Sequence, residues 1–68
     1  MVYVASTIEA EPDEDTYVGV FLTKEDLNDF ARANQSQQIG YSKHDTFELA
    51  QKFMLSLIES EPRLKVWG

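Results

Sequence analysis

Asp45-Thr46-Phe47-Glu48-Leu49-Ala50-Gln51-Lys52-Phe53-Met54-Leu55-Ser56-Leu57-Ile58-Glu59-Ser60 is the most strongly patterned stretch of the chain. Within it Phe47, Ala50, Met54, Leu57 and Ile58 recur at i, i+3, i+7, i+10 and i+11, which gathers them on one side of a helix of period 3.6. Such a stripe faces a core. Asp45 with Glu48 three residues on has the form of a capping box, each side chain satisfying a backbone N–H that lacks an intrahelical partner. Pro62 stops the helix and disfavours helical geometry at Glu61. Phe53 and Leu55 lie off the stripe, so the apolar surface is broader than one neighbour covers. Either the helix lies deep in a sheet groove, or part of it meets a partner.

Working outward, the segments on either side read as strands and one further helix. Val2, Val4 and Ile8 alternate with Tyr3, Ala5 and Thr7, the period-2 pattern of a strand with one buried face, placed at Val2 to Thr7. Glu9 to Asp15 holds five carboxylates, a proline and nothing apolar larger than alanine, which predicts a solvated loop. Tyr17 to Leu22 is β-rich, with Val18, Val20 and Leu22 on one face and Tyr17 and Phe21 on the other, and predicts a second strand antiparallel to the first. Thr23 followed by Asp26 is a cap signal, and Leu27, Phe30 and Ala31 share one face of a short helix from Lys24 to Ala33. Asn34 to Gln38 is a polar connector. Ile39 to Lys43 reads as a third strand, and the alternation in Leu64 to Trp67 allows a fourth at a sheet edge. The order is β-β-α-β-α with an optional final β. The fold expected is α+β: a small antiparallel three-stranded sheet, extended or not by a C-terminal edge strand, carrying two helices on one face. Residues 1–68 form a single domain.

Composition bounds the function. A chain of 68 residues buries only about 60% of its unfolded surface, so added burial in a homodimer through Phe53, Leu55 or the Trp67 edge would help it. Without cysteine it has no disulfides and no thiolate zinc site, and an intracellular, cytoplasmic location is the simplest expectation. No apolar run approaches the roughly 20 residues of a membrane span. The net charge of −6 is lopsided: residues 1–34 hold eight acids against Lys24 and Arg32, while residues 35–68 hold four against Lys43, Lys52, Arg63 and Lys65. A field of that sign repels phosphate backbones and attracts basic protein surfaces.

Known reactive constellations do not emerge from the sequence. An EF-hand loop begun at Asp13 would put Val18 where glycine is required and Lys24 where glutamate is required. His44 is the sole histidine and has no second histidine or cysteine to share a zinc ion. No glycine-rich phosphate cradle and no G-x-S-x-G elbow occurs. The expectation is a non-enzymatic chain with no cofactor and no metal.

Gly19-Val20-Phe21-Leu22-Thr23 entering one helix, and Tyr41-Ser42-Lys43-His44-Asp45-Thr46-Phe47-Glu48-Leu49-Ala50-Gln51-Lys52-Phe53 entering the other, resemble the small hybrid-binding domain at the N-terminus of eukaryotic ribonuclease H, the viroplasmin-like family. The similarity covers roughly Val2 to Phe53 and implies a three-stranded antiparallel sheet with two helices. The family's tryptophan after the threonine corresponds to Lys24 here, and of its two third-strand lysines only Lys43 has a counterpart, Ser42 standing at the other. Its short turn, often basic, is replaced by the acidic loop. The resemblance therefore implies a fold, and these departures weigh against duplex binding.

Two functions from different classes follow. The first is an acidic protein-binding module, such as an inhibitor or decoy of the phage or mobile-element accessory type. It would present Glu9, Glu11, Asp13, Glu14 and Asp15, with Glu25, Asp26 and Asp29 nearby, to a basic partner surface. The less favoured alternative is a weak nucleic-acid-binding module of viroplasmin-like fold, in which Tyr41 and Trp67 stack bases while Lys43 and Lys65 hold phosphates. The bland reading of that second set places the aromatics in the core or at an edge.

Overall fold

A computed structural model describes residues 1–8 and 15–67. The elements in chain order are β1 (Val2–Ile8), β2 (Thr16–Phe21), α1 (Lys24–Ala33), β3 (Gln38–His44), α2 (Phe47–Ser60) and β4 (Leu64–Val66). The four strands form one sheet in the order β3-β1-β2-β4, so the architecture is α+β with the C-terminal strand present. β1 runs antiparallel to both β2 and β3, pairing Val4 with Val20 and with Ser42. The three expected strands are thus antiparallel neighbours as read from the sequence, and the C-terminal strand β4 joins parallel to β2, with Val18 opposite Val66, which makes the four-stranded sheet mixed.

The helices do not share a face. α2 packs on the side that carries Val2, Val4, Val18 and Val20, through Ala50, Met54, Leu57 and Ile58. α1 packs on the other side, where Leu27 and Phe30 join Ala5 and Phe21. The expectation of both helices on one face is corrected here, and connectivity supplies the reason. β2, β3 and β4 all point the same way, because β1 opposes β2 and β3 while β4 parallels β2. The crossover through α1 carries the chain from β2 across β1 to β3, and the crossover through α2 brings it back across β1 and β2 to β4. Parallel crossovers are right-handed in nearly all folds, and two of the same hand travelling in opposite directions lie on opposite faces. The central strands are thus covered on both sides, which is why β2 is apolar at both sets of alternate positions, Val18 and Val20 against Tyr17 and Phe21.

The α1 side is built around a depression. Ala5 pairs with Gly19, and the absence of a side chain at Gly19 leaves space that the Phe21 ring overlies and the Trp67 Cβ borders. Phe30 descends from α1 against these two side chains, fully buried, with the Phe21 ring 5.1 Å and the Trp67 ring 5.2 Å away, the latter edge-on. Tyr17 closes the row, 5.3 Å from Trp67. Edge-to-face and tilted aromatic contacts of this kind add to the burial itself.

The buried polar residues Thr7, Thr16 and Asn34 have partners, whereas the buried Gln37 Oε1 has none. The Thr7 Oγ1 accepts from the Tyr17 N–H at 3.0 Å, and the Thr16 hydroxyl donates to the Arg63 carbonyl at 3.2 Å. The Asn34 side chain donates to the Phe30 carbonyl at 2.9 Å and closes the C-terminus of α1. The Trp67 N–H donates to the Val18 carbonyl at 2.8 Å and extends the attachment of the tail beyond β4. The tail is therefore held by backbone pairing and by the aromatic row together.

Local signals at the helix starts operate with one shift of register. Thr23 caps α1 as expected, its hydroxyl accepting from the Asp26 N–H at 3.1 Å. α2 is capped by Thr46, not Asp45: the Thr46 hydroxyl accepts from the Leu49 N–H at 3.2 Å. The hydroxyl three residues ahead of Leu49 is the one in reach, which leaves Asp45 outside the helix and Glu48 in its first turn, where its charge suits the helix dipole. Thr46→Ala is expected to cost about 1 kcal/mol and Asp45→Ala only a few tenths, a contrast that paired urea titrations would measure. Two further positions differ from expectation. Phe47, placed on the core stripe by spacing, is 51% exposed, because it opens the helix beyond the cover of the sheet. Leu22 lies past the end of β2 and is exposed.

Candidate functional site

The carboxylates expected to meet a partner divide into three groups. Glu9, Glu11, Asp13 and Glu14 lie outside the described residues. Asp15, at the entry to β2, accepts a hydrogen bond from the Lys65 Nζ at 3.1 Å and one from the Tyr17 hydroxyl at 3.3 Å. Its hydrogen bond and charge attraction to Lys65 hold the Asp15 carboxyl below its ordinary value. Asp15 is thus already engaged by the chain itself.

Glu25, Asp26 and Asp29 project from α1 into solvent. Leu27 and Phe30 face the sheet, the helix period puts Glu25 and Asp29 on the opposite side, and Asp26, nearer the Phe30 side, is exposed in the first turn. Glu25 and Asp26 occupy the first turn, where negative charge is favoured by the exposed N–H groups. Asp29 meets the Arg32 guanidinium at 3.9 Å, both side chains well exposed, so this pair neutralises charge only weakly. β2 leads into the start of α1 while Asp15 sits at the other end of β2, so Glu25 and Asp26 stand at the opposite end of the sheet from Asp15. The acidic surface is accordingly broad, with no single concave site among the described residues.

The residues expected to hold nucleic acid are also separated. Tyr41 and Lys43 lie on β3, and Lys65 and Trp67 lie on or just past β4, at opposite edges of the sheet with β1 and β2 between. At the usual spacing of about 4.8 Å between strands the two sets stand roughly 14 Å apart. All four project to the α1 side, since Tyr41 pairs with Ala5 and Lys65 with Tyr17, but α1 and the aromatic row lie between them. The Trp67 ring is packed against Phe30 and Tyr17 and the Lys65 ammonium is paired with Asp15, whereas Tyr41 and Lys43 are exposed. Among the described residues no continuous stacking platform connects them.

One concavity lies apart from both sets of residues. On the α2 side, a pocket of about 180 Å³ opens between α2 and β3, lined by Val4, Ser6, Gly40, Ser42, Phe53 and Leu57 with Tyr41 at its rim. It exists because Ser6, Gly40 and Ser42 are small and succeed one another on neighbouring strands, so no side chain of the sheet fills the space beneath α2 here. The Ser42 hydroxyl and the His44 Nε2 are 2.8 Å apart, and the His44 ring stacks at 4.9 Å on Phe53. That contact pins the end of β3 to α2. The signal in the sequence was Phe53, off the core stripe, together with the small residues flanking Tyr41. Among the described residues no group of three or more histidine, aspartate or glutamate side chains is placed to hold a metal ion. No helix of the described residues is long and apolar enough to cross a membrane.

Searches of protein-family models, curated proteins and solved structures find no match to this chain.

Proposed function

We propose that the chain is a non-enzymatic protein-binding module whose acidic surface docks on a basic surface of another protein, in the manner of an inhibitor or decoy. The observation that supports this reading is the exposed face of α1, where Glu25, Asp26 and Asp29 outnumber the helix cations Lys24 and Arg32 and, among the described residues, only Asp29 is in an ion pair. The helix carrying them is anchored by Leu27 and Phe30, so the carboxylates are held on a rigid element. The N-terminal half adds Glu9, Glu11, Asp13 and Glu14 to the same excess, and the chain carries a net charge of −6. Charge complementarity of this kind raises the rate of encounter and weakens as salt rises.

The test is affinity capture from lysate of the source, with and without nuclease, comparing the native chain with a variant carrying Glu25→Gln, Asp26→Asn and Asp29→Asn and a second that also neutralises the four loop acids. The expected result is a discrete protein that survives nuclease, is released by salt, and is lost progressively across the two variants. Equal retention by the fully neutralised chain would sink the reading. Recovery of nucleic acid with only nuclease-sensitive proteins would move attention to Tyr41 and Lys43.

A further inference from the structure

β3 is an outer strand of the sheet, paired on one side with β1 and on the other with no strand among the described residues. It is seven residues long and contains no proline. Folded proteins ordinarily blunt an edge of this length with a proline, a bulge, a cluster of charges or a covering element. The opposite edge is formed by β4, only three residues long. Among the described residues β3 is the edge left open, with Lys43 as its one charge against pairing.

α2 overhangs this edge without covering it. Phe53 and Leu57 line the pocket above Gly40 and Ser42, and Leu49 continues their flank one turn earlier. Phe53 is 39% exposed, Leu49 50% and Tyr41, on the other side of β3, 58%. The patch thus contains protruding apolar groups and a hollow side by side on one short strand and one helix flank. An interface between identical copies needs that combination, because one patch must complement itself about a two-fold axis.

Charge selects the occupant. Two copies at −6 repel each other over most of their surface. Around β3 the local balance is different: Lys43 and Lys52 offset Asp45 and Glu48. Lys43 and Lys52 are also, with Lys24, the cations that form no ion pair among the described residues. A strongly basic partner would be drawn to the acid excess of the N-terminal half, whereas a second copy can approach only where that excess is absent. The open apolar edge coincides with that place.

We propose that a second copy of this chain pairs antiparallel along β3, about a two-fold axis at Tyr41, the middle residue of the strand. This register engages all seven residues. It sets Gly40 opposite Ser42 and Ile39 opposite Lys43, and joins the two sheets into one of eight strands. On the α2 side the facing small residues merge the two hollows, and the Phe53 and Leu49 side chains of both copies close over them. On the other side the two Tyr41 rings meet. The contact is independent of the acidic surface on α1, so neutralising α1 leaves it intact.

The experiment is sedimentation equilibrium of the native chain across a concentration series, beside Tyr41→Lys and a control, Leu55→Lys, whose exposed side chain lies off the Leu49–Phe53 flank. The expected result is a concentration-dependent dimer that Tyr41→Lys weakens by about tenfold or more and Leu55→Lys leaves unchanged. Because the chain has no cysteine, a single introduced thiol reports pairing by a readout that does not depend on the lysine variant folding well. Tyr41→Cys should oxidise to a disulfide-linked dimer far faster than Leu55→Cys, since directly paired residues bring their Cα atoms within bridging range. A monomer up to about 1 mM, or a dimer indifferent to Tyr41→Lys and not captured by Tyr41→Cys, would overturn the proposal.

Discussion

Phe30→Ala is expected to leave the chain largely unfolded at moderate temperature. Phe30 is fully buried and is among the largest side chains that are so. Truncating a buried phenylalanine costs about 3–5 kcal/mol, because the transfer energy of the ring is lost and the cavity left behind collapses only in part. Collapse here is hindered on every side. Phe21 is fixed by β2, Trp67 by its N–H bond to the Val18 carbonyl, and Ala5 and Gly19 offer no atoms that could move in. Folded domains hold roughly 0.05–0.15 kcal/mol per residue, so a chain of this length has about 3–10 kcal/mol in total. The loss removes much or all of it. Thermal melting followed by near-ultraviolet circular dichroism would show this, since the Trp67 signal depends on the same contacts. Retention of a cooperative transition within a few degrees of the native one would mean that Phe30 is not the centre of the α1 layer.

The aromatic row also shows what the sequence made legible and what it did not. The bounds of α1 follow from Thr23, Leu27 and Phe30 alone, because cap and period are local properties. The strands come within one residue at each end, for the same reason. The helix faces were not legible from local signals. Reading β1 as a strand with one buried face sends both helices to the valine side, yet Ala5 and Thr7 on the alternate side are as buried as Val2 and Val4. Alanine and threonine are weak burial signals, and the depression they help to form is recognised only once Gly19 is known to lie opposite Ala5. The parallel placement of β4 settles the rest, since it fixes the direction of the second crossover, and three residues near a chain end carry too little pattern to announce it. The candidate acidic residues were legible as a charge excess. That Asp15 is engaged with Lys65, and that Lys65 and Tyr41 stand at opposite edges, depends on strand order and not on composition.

Gly19→Ala tests the same depression from the opposite direction, by adding an atom. A Cβ at position 19 would lie 2.7 Å from the Phe21 Cζ, 3.0 Å from its Cε2 and 3.2 Å from the Trp67 Cβ. Alanine in place of glycine restricts the unfolded chain and by itself favours folding by about 0.4–1 kcal/mol. Against that gain, overpacking a filled interior costs about 1–3 kcal/mol. Which term dominates depends on whether the neighbours can yield. The Phe21 ring tip belongs to a flexible side chain, but it is buried against Phe30, and the Trp67 Cβ is tied to a backbone held by Val18. The clash therefore exceeds the entropic gain, and the net expectation is a loss of about 1–2 kcal/mol. Phe21→Leu alone should also destabilise, by removing ring contacts with Phe30. Combined with Gly19→Ala it removes the obstructing ring tip, so the double variant should be more stable than the sum of the two single losses by about 1 kcal/mol, read as a coupling energy from urea denaturation. Simple additivity, or a stabilising effect of Gly19→Ala alone, would show that Gly19 is not required by close packing and that the Ala5–Gly19 pair is not what admits Phe30 to the core.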